Sequence, residues 1–359
     1  MHIDIKKINR VSANSIKSIK NLAVRNSGVP MKPQWLVFMP TGKCNSRCKH
    51  CNIWKNPPKT PQLTLKEIAK TFKDPLFKNI REIINTGGEV SLREDLPEII
   101  YIEHKLLPKA KLQISTNAIL AKKIVSDIKM LLNKDVPVSV GVSLDGIGKE
   151  HDEIRGIPGN FEKADWLLKR LVELRKKHGD KLEIVIGFTL SDLTLNSLEK
   201  VIEYGNKMDV GVLSQWYNQS PFYGNTDADL DKNKKIYEAV SSFKPSFMKE
   251  MWLSSLKGEF IKFPCFALNT FFVLTWDGEI VPCLNYFDIS AGNVREKTPS
   301  QIWKGADAKK IREKVKKCSG CLNQWACGWS LESSTFPILS FYFKNPNKLI
   351  KRFKERGIE

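Results

Sequence analysis

Three closely spaced cysteines constrain this chain more than any other feature. Cys44, Cys48 and Cys51 directly follow the apolar run 35–39. Thiolates are the usual ligands of iron–sulfur clusters, and four of them normally complete a site. A loop that offers only three leaves one iron open, and an open coordination position indicates chemistry rather than a structural role. The spacing therefore predicts a reactive cluster.

The residues around these cysteines are consistent with that prediction. Gly42 permits a tight backbone path, and Lys43, Arg47 and Lys49 surround the thiols with positive charge. Positive neighbours lower the pKa of a thiol, so we expect thiolates here. There are two alternatives. The cysteines could form a zinc knuckle that His50 completes, or they could be unrelated to one another. Adjacent residues seldom both reach one ion, so we favour the cluster.

The motif resembles the signature of the radical SAM superfamily, which has the same cysteine spacing. The resemblance implies an enzyme that binds S-adenosylmethionine on the open iron of a [4Fe-4S] cluster. Such enzymes cleave it reductively to methionine and a 5′-deoxyadenosyl radical, which takes a hydrogen atom from the substrate. The family prefers an aromatic residue before the third cysteine, near the adenine, and His50 holds that place.

Length and composition set the broad class. The 359 residues suffice for one large domain and a smaller one, and 42% of them are hydrophobic. No stretch approaches the ~20 apolar residues of a membrane span, and no secretory signal is evident. The cysteine spacings are typical of metal sites rather than of disulfides. We therefore expect a cytoplasmic protein.

The chain is strongly basic. Its 58 Lys and Arg exceed its 39 Asp and Glu, which gives a net charge of +19. Such an excess favours anionic partners: a membrane surface, a phosphorylated substrate, an acidic peptide or nucleic acid. A lysine-rich composition that compensates for anionic clusters is the alternative. We do not expect a nucleic-acid partner, because basic and aromatic residues are nowhere interleaved as base stacking requires.

The C-terminal segment 336–359 forms a basic tail. An apolar run, 336–343, precedes a segment rich in Lys and Arg, 344–356. This combination is found where proteins lie on an anionic membrane, here the inner membrane face. It is equally typical of a last strand followed by a solvated helix packed on the protein body, which we favour.

Alternating patterns predict the fold. Residues 1–28, within an N-terminal extension 1–33, have the spacing of an amphipathic helix. Predicted strands follow at 35–39, 82–85, 112–116, 138–144, 182–190 and 210–216, with helices between them, the clearest at 161–178. A capping box, Thr64 to Glu67, begins another helix. Six strand–helix units predict a parallel sheet. The count fits a partial (β/α)6 TIM-like barrel over 34–255, which the family resemblance also implies.

The strand pattern locates a site. Val138, Val140 and Val142 share one face of a strand, whereas the residues between them, Ser139, Gly141 and Ser143, share the other. The strand at 112–116 alternates in the same way. Ligands bind at the carboxyl ends of parallel strands. We therefore expect small polar groups to line an interior site there.

A glycine pair after the second strand is a candidate for cofactor binding. Gly87, Gly88 and Glu89 resemble the GGE motif of the radical SAM superfamily, which contacts the amino group of the methionyl moiety. The family often continues with proline, and Val90 stands there instead. The resemblance thus implies a contact through this loop.

A second stretch, 142–156, resembles the SLDG…HDxxRG pattern of radical SAM proteins with SPASM or twitch domains. The resemblance places Ser143 and Arg155 near the carboxylate of the cofactor, and a guanidinium binds carboxylates bidentately. We expect His151 and Asp152 to organise the loop. The strand that commonly borders the cofactor carries two further candidates, Ser115 and Asn117.

A second cysteine set follows residue 256. Apolar residues and a turn at 277–278 predict a β-hairpin with Cys265 before it and Cys283 after it. With Cys318 and Cys321 they supply four thiolates, enough for one cluster or for a zinc ribbon. The pattern resembles the SPASM/twitch extension, here 256–335, which implies at least one auxiliary [4Fe-4S] cluster. Leu331 stands where a complete SPASM domain has a further cysteine.

Once four cysteines are assigned to one auxiliary cluster, Cys327 has no assigned role. We consider three roles for it: a ligand in place of another cysteine, a hydrogen-atom donor to a substrate radical, and a small buried core residue. The sequence leaves these alternatives open.

The substrate is the least determined part of the prediction. Aromatic and amide residues at 215–223 follow the sixth strand and can line a sugar or peptide site. We favour a small glycosyl or lipid-linked substrate that undergoes epimerisation, dehydrogenation or cross-linking. A peptide-modifying (RiPP-type) maturase is the first alternative, and a non-catalytic iron–sulfur electron-transfer protein is the second. The enzyme would need a low-potential electron donor of the ferredoxin or flavodoxin type.

Overall fold

A computed structural model describes residues 5–225, 234–243, 246–259, 261–318, 321 and 323–347 of the chain. The strands are β1 Trp35–Thr41, β2 Glu82–Gly87, β3 Lys111–Thr116, β4 Val138–Ser143, β5 Leu182–Leu190, β6 Gly211–Trp216, β7 Phe271–Leu274 and β8 Ile280–Val281. The six strands predicted between residues 35 and 216 are all present, with ends that differ by one to two residues.

Helices separate most of these strands. They are α1 Ile5–Ser27, α2 Leu65–Phe72, α3 Leu96–Leu106, α4 Ala121–Asn133, α5 Lys149–Arg155, α6 Asn160–His178, α7 Leu198–Lys207, α8 Lys234–Ser242, α9 Phe247–Leu256, α10 Pro299–Lys304, α11 Ala306–Lys316, α12 Gln324–Ser333 and α13 Phe336–Lys344. The capping box predicted for α2 is present: the Glu67 amide donates to Thr64 Oγ1, and the Thr64 amide donates to Glu67 Oε2.

The strands form one sheet in the order β6-β5-β4-β3-β2-β1-β7-β8. Strands β1 to β6 are parallel to their neighbours, as expected for serial strand–helix units. This confirms the predicted parallel α/β sheet. Because their carboxyl ends meet at one edge, the loops after β1, β2, β3 and β4 converge there.

The predicted hairpin is also present, but it extends the main sheet. Strand β7 pairs in parallel with β1, Trp35 opposite Phe271, and in antiparallel with β8. All four residues of β7 are buried. The cysteine-rich segment is therefore joined to the barrel by backbone hydrogen bonds along β1, which sequence pattern alone does not indicate.

The N-terminal helix and the end of the described chain pack together. Ser18 of α1 shares a hydroxyl hydrogen bond of 3.0 Å with Thr335, and Asn21 donates to the carbonyl of Ser333. The amphipathic helix predicted for residues 1–28 is confirmed as α1. It contacts α12 and α13, so it covers the cysteine-rich segment.

The prediction of a strand at 336–343 was wrong, because this run forms α13. A short apolar run does not distinguish a strand from a helix by periodicity. Pro337 stands in the first turn of the helix, where its fixed φ fits. Tyr342 is buried and Phe341 packs against Phe247 with ring centroids 5.5 Å apart. The basic residues from 348 onward lie outside the described residues. Within the described part of the chain, no helix has the length and apolar character to cross a membrane.

Candidate active site and auxiliary cluster site

The three-cysteine loop lies at the carboxyl end of β1. Cys48 is buried, and Cys44 and Cys51 are half-buried. All three line one cavity at the carboxyl ends of the parallel strands. Among the described residues of that lining there is no fourth cysteine, so the loop presents three thiols to one space.

The glycine loop after β2 supports one side of the cysteine loop. The amide of Gly88 donates to the carbonyl of Thr41 at 3.0 Å, and the amide of Glu89 donates to that of Lys43 at 2.8 Å. A Cβ at position 88 would lie 2.0 Å from the Lys43 carbonyl oxygen. No side chain fits there, so the glycine is required for the two loops to meet.

The end of α5 supports the other side of the cysteine loop. The Arg47 amide donates to the carbonyl of Arg155 at 3.0 Å, and the Lys49 amide donates to that of Ile154 at 2.9 Å. Gly156 ends the helix with φ of +67°, and a Cβ there would lie 2.4 Å from the Arg47 oxygen. The cysteine loop is thus held between two other loops by backbone hydrogen bonds.

The expectation of low thiol pKa values was wrong for Cys44 and Cys51. Burial raises the pKa of Cys44 to about 11 and that of Cys51 to about 12. Arg47, one of the cations expected to lower them, lies over the Trp54 ring at 5.0 Å. These two thiols are therefore protonated in the metal-free protein, and binding of iron would displace their protons.

The carboxylate of Glu89 is fully engaged inside the protein. It is 1% exposed and accepts hydrogen bonds from Ser91 Oγ at 2.6 Å, Thr116 Oγ1 at 2.7 Å and the Asn117 amide at 2.7 Å. Burial raises its pKa. The side chain holds the loop in place, so contacts from this motif to a ligand would come from the backbone of Gly87 and Gly88, which lines the cavity.

Arg155 forms a buried ion pair that the sequence did not indicate. Its Nη2 atom lies 2.7 Å from Asp145 Oδ2, and its Nη1 atom donates to Cys48 Sγ at 3.7 Å. The resemblance implied a contact with the carboxylate of a cofactor. The Nε atom is buried without a hydrogen-bond partner, so one donor of the guanidinium remains for a ligand in the cavity.

His50 lies beside the same carboxylate that pairs with Arg155. Its Nε2 atom lies 3.8 Å from Asp145 Oδ2, and its ring meets Tyr217 edge-on at 6.5 Å. Burial lowers the pKa of His50 to about 4, so the ring is neutral at pH 7. A neutral imidazole at the cavity wall offers a flat surface to an aromatic ligand such as adenine.

Polar strand residues line the cavity as the alternation predicted. Ser115 and Gln113 of β3 and Ser143 and Gly141 of β4 all face it. Asn117 follows β3, and its amide nitrogen donates to Asn45 Oδ1 at 2.9 Å, which connects the strand end to the cysteine loop.

His151 and Asp152 hold the loop, as expected. His151 Nδ1 accepts from the amide of Asp145 at 3.1 Å. Asp152 accepts from the amides of Gly159 at 2.7 Å and Phe161 at 2.8 Å. His151 thus holds the loop between β4 and α5, and Asp152 orients the turn between α5 and α6. Neither side chain lines the cavity.

Several cavity residues were not predicted. Asn323 and Trp325 come from the cysteine-rich segment, between Cys321 and Cys327. Their position within the cysteine motif 318–327 was the sequence signal that could have indicated them. Strand β5 contributes Val185, Gly187 and Thr189 through the same alternation that was recognised on β4. By contrast, Asn218 belongs to the segment 215–223 that was predicted to line the site; it lines the cavity and donates to Asn285 Oδ1 at 3.1 Å.

Four of the remaining cysteines lie together. The thiols of Cys265 and Cys318 are hydrogen-bonded to each other, and this bond, followed by burial and the neighbouring thiols Cys283 and Cys321, raises the pKa of Cys265. Burial raises the pKa of Cys283 to about 12. Four adjacent thiols in the interior match the donor set of a four-thiolate cluster. Among the described residues, no three ligand side chains converge as tightly as a single metal ion requires.

Cys327 lies apart from the cavity. It is fully buried on α12 in a small core with Phe247, Met251 and Leu331. Its thiol donates a hydrogen bond to the carbonyl of Cys321. The structure therefore places Cys327 beside one auxiliary cysteine but not among the residues that line the cavity.

Comparison with known proteins identifies the family. The sequence profile of the radical SAM superfamily matches residues 38–205, and that of an iron–sulfur cluster-binding domain, SPASM, matches residues 265–322. A probable GTP 3′,8-cyclase of Methanococcus aeolicus is 31% identical over 294 residues, which cover 75% of this chain and 88% of that protein. The chain belongs to the radical SAM superfamily. It is a radical SAM enzyme with a SPASM domain, and these families bind [4Fe-4S] clusters and S-adenosylmethionine.

Two further similar proteins have names that describe other roles. The subtilosin biosynthesis protein AlbA of Bacillus subtilis is 30% identical over 216 residues, which cover 57% of this chain and 45% of that protein. The structure of Streptococcus suis SuiB bound to its precursor peptide SuiA superposes with a TM-score of 0.61 at 17% identity, covering 82% of this chain and 70% of that one. The structural likeness shows a shared fold.

Proposed function

We propose that this enzyme cleaves S-adenosylmethionine reductively at a [4Fe-4S] cluster held by Cys44, Cys48 and Cys51. The observation that carries the proposal is that the three thiols line one cavity, with no fourth cysteine in the described lining. When bound, such a cluster supplies the electron that splits the cofactor into methionine and a 5′-deoxyadenosyl radical. The residues of the chain position the reactants.

The cavity offers suitable groups for each part of the cofactor. The backbone of Gly87 and Gly88 is available to the amino group of the methionyl moiety, since Glu89 is engaged elsewhere. The free Nε atom of Arg155 and the hydroxyl of Ser143 suit a carboxylate. The ring of His50 suits the adenine. Ser115 and Asn117 complete the polar wall.

The test is anaerobic reconstitution with iron and sulfide, reduction with dithionite, and measurement of 5′-deoxyadenosine. The wild-type chain should form it and hold about eight irons, as expected for two [4Fe-4S] clusters. A variant with Cys44, Cys48 and Cys51 replaced by alanine should form none and keep about four irons in the auxiliary site. Formation of 5′-deoxyadenosine by that variant would contradict the proposal.

The substrate that the cavity favours is polar and uncharged. Among the described lining residues the charged side chains are Glu89 and Arg155. Glu89 is held by hydrogen bonds, and Arg155 is paired with Asp145 and keeps one unpartnered donor, Nε, while His50 is neutral. A triphosphate is normally bound by free arginines and lysines. The lining therefore does not favour GTP, although the M. aeolicus relative is named for it.

Amides and aromatic rings complete the lining instead. Gln113, Gln215, Asn218, Tyr217 and Trp325 face the cavity. Such groups bind neutral sugars and peptide backbones by hydrogen bonds and ring contacts. We favour a glycosyl or lipid-linked small molecule. A peptide is the second candidate, because AlbA and SuiB are named for peptide products or partners.

Fractionated cell extract separates these candidates. Extract is passed over an anion exchanger, and each fraction is tested for stimulation of 5′-deoxyadenosine formation beside GTP. A neutral substrate should be in the unbound fraction. Proteinase treatment of that fraction should abolish the stimulation for a peptide and spare it for a glycosyl molecule. Stimulation by GTP or by the bound fraction alone would show that the substrate is anionic.

We propose that electrons come from a small acidic protein of the ferredoxin or flavodoxin type. The net charge of +19 favours association with an acidic partner. Turnover supported by such a donor should fall steeply as salt is raised, whereas turnover with dithionite should not. Equal salt dependence of the two reactions would contradict an electrostatic docking step.

We also propose that α1 and α13 contact an anionic lipid surface. These touching helices carry exposed apolar side chains at Ile16, Ile19, Phe336, Leu339 and Phe343, the last 89% exposed. Exposed lysines stand beside them, Lys17 and Lys20 on α1 and Lys344 on α13. Apolar and basic groups together match an anionic membrane interface.

Co-sedimentation with vesicles tests this contact. The chain should sediment with phosphatidylglycerol vesicles and not with phosphatidylcholine, and Leu339→Ser/Phe343→Ser should abolish binding. Leu193→Ser, which removes an exposed apolar residue elsewhere, is the matched control. Absence of binding to phosphatidylglycerol would exclude the proposal, and self-association lost in the double variant would show that a second copy covers the surface.

A further inference from the structure

One buried cation outside the cavity is not used by the proposed chemistry. Arg25 lies near the end of α1 and is 6% exposed. The helix carries it into the cysteine-rich segment rather than into solvent. A buried guanidinium costs free energy unless its donors are satisfied and its charge is compensated.

Backbone carbonyls satisfy its donors. Arg25 Nε donates to the carbonyl of Cys265 at 2.7 Å, and Nη2 donates to those of Val315 and Lys316 at 3.3 and 3.2 Å. Nη1 donates to Asn26 Oδ1 at 3.2 Å, and the guanidinium lies 5.8 Å from the centroid of Phe266. Every one of these acceptors is neutral.

The groups that act electrostatically on Arg25 are auxiliary cysteines. Burial lowers the pKa of Arg25, and Cys265 and Cys318, when ionised, act in the opposite direction. Val315 and Lys316 end α11, directly before Cys318, so the guanidinium lies between the segments that carry these two cysteines. No Asp or Glu is found among its partners in the described residues.

A fixed cation at this position has a defined electrical effect. A cluster on four thiolates is anionic and gains one more negative charge on reduction. A neighbouring positive charge in a low-dielectric interior stabilises the reduced form more than the oxidised form. The reduction potential of a cluster depends on net charge and on the hydrogen bonds near its sulfurs.

We propose that Arg25 is a positioning residue of the auxiliary cluster and holds its reduction potential above the value that the cysteines alone would give. The N-terminal helix is then part of the electron-transfer apparatus. The inference rests on the auxiliary cluster being held by Cys265, Cys283, Cys318 and Cys321. It does not depend on the substrate or on cofactor cleavage.

The chain offers a matched control in Arg312. This arginine is also buried and donates to carbonyls, those of Leu268 at 2.8 Å and Trp303 at 2.6 Å, and it lies over the Trp303 ring. Burial alone lowers its pKa, and no cysteine acts on it. Replacing it removes a buried cation with similar hydrogen bonds but away from the cluster.

The experiment is an EPR-monitored redox titration of the reconstituted full chain. The titration is done both with the loop cysteines Cys44, Cys48 and Cys51 present and with all three replaced by alanine. The second protein identifies the EPR signal that belongs to the auxiliary cluster. Arg25→Gln should lower the auxiliary potential enough to change the oxidised-to-reduced ratio about tenfold at a fixed potential, which is about 59 mV for one electron. Arg25→Lys should retain most of the potential, and Arg312→Gln should leave it unchanged.

Each other outcome is decisive. An unchanged potential in Arg25→Gln with full iron content overturns the inference. Loss of auxiliary iron from Arg25→Gln but not from Arg312→Gln makes Arg25 a structural clamp and also overturns it. An equal shift in Arg312→Gln removes the specificity claimed for Arg25. If the chain without loop cysteines holds no iron, the cluster assignment fails instead, and 5′-deoxyadenosine formation by the wild type still tests the proposed function.

Discussion

Arg155 connects Asp145, which follows β4, to a cysteine of the loop: one guanidinium nitrogen lies 2.7 Å from Asp145 Oδ2, and another lies 3.7 Å from Cys48 Sγ. Asp145 is fully buried and also accepts from the Thr189 amide at 2.8 Å. A carboxylate that follows β4 and accepts from β5 therefore fixes the cation beside Cys48, a proposed cluster ligand. The position of the thiol depends on a charge pair.

Removing Asp145 should destabilise the chain strongly. Asp145→Asn leaves the Arg155 charge buried without its counterion, and breaking a buried pair in this way costs about 3–5 kcal/mol. Urea unfolding of the metal-free protein measures the change. Glu173→Gln is the control, because its pair with Arg170 is exposed and should have little effect. Similar midpoints for the two variants would show that the buried pair contributes no more than the surface pair.

Gly88→Ala should prevent assembly of the loop cluster. The added methyl would meet the Lys43 carbonyl at 2.0 Å and displace the cysteine loop. Iron analysis should show about four irons per chain, the auxiliary set, and no 5′-deoxyadenosine should form. Gly211→Ala is the control, because a Cβ there meets nothing within 4 Å. Full iron content in Gly88→Ala would mean that the loop cluster assembles even when the glycine loop and the cysteine loop are pushed apart.

The sequence was sufficient for the six parallel strands, because each carries an apolar run or a strict alternation that ends at turn residues. It also placed the polar residues of β3 and β4 in the cavity, since alternation fixes which face a strand residue occupies. It was not sufficient for α13, where a run of eight mostly apolar residues fits either kind of element. Pairing between β7 and β1 was also hidden, because the partners are more than 230 residues apart.

The electrostatics of the site were predictable only in part. The Lys and Arg near the cysteines in sequence were expected to lower the thiol pKa values, yet burial dominates and Arg47 packs on a ring. The cation that lies at Cys48 comes from Arg155, in a different loop. Side-chain direction within a loop depends on packing, and sequence spacing carries no information about it.

A buried carboxyl group should make stability depend on pH. Burial raises the pKa of Glu103 from 4.5 to about 8, and its one described partner is Asn85, which donates to it at 2.9 Å. The folded state then holds a proton that the unfolded state releases. The contribution of Glu103 to stability is greatest below about pH 4.5 and is lost as the pH rises towards 8, by at most about 1.4 kcal/mol per pH unit.

Glu103→Gln should flatten this dependence, because glutamine has no proton to lose. Urea unfolding between pH 5 and 8 measures the slope against that of the wild type. Glu94→Gln, an exposed residue just before α3, should leave the slope unchanged. Equal slopes in Glu103→Gln and the wild type would show that Glu103 is ionised in the folded protein.

Cys327→Ala should separate the three roles that the sequence left open. The thiol is fully buried with Phe247 and Met251 and does not line the cavity, so we expect unchanged iron content and unchanged 5′-deoxyadenosine formation. The lost contacts should lower the free energy of unfolding by about 1 kcal/mol. Cys318→Ala, by contrast, should remove the auxiliary iron. Loss of iron from Cys327→Ala would make it a ligand. Loss of product with iron content and cofactor cleavage retained would make it the hydrogen-atom donor, which its absence from the cavity lining argues against.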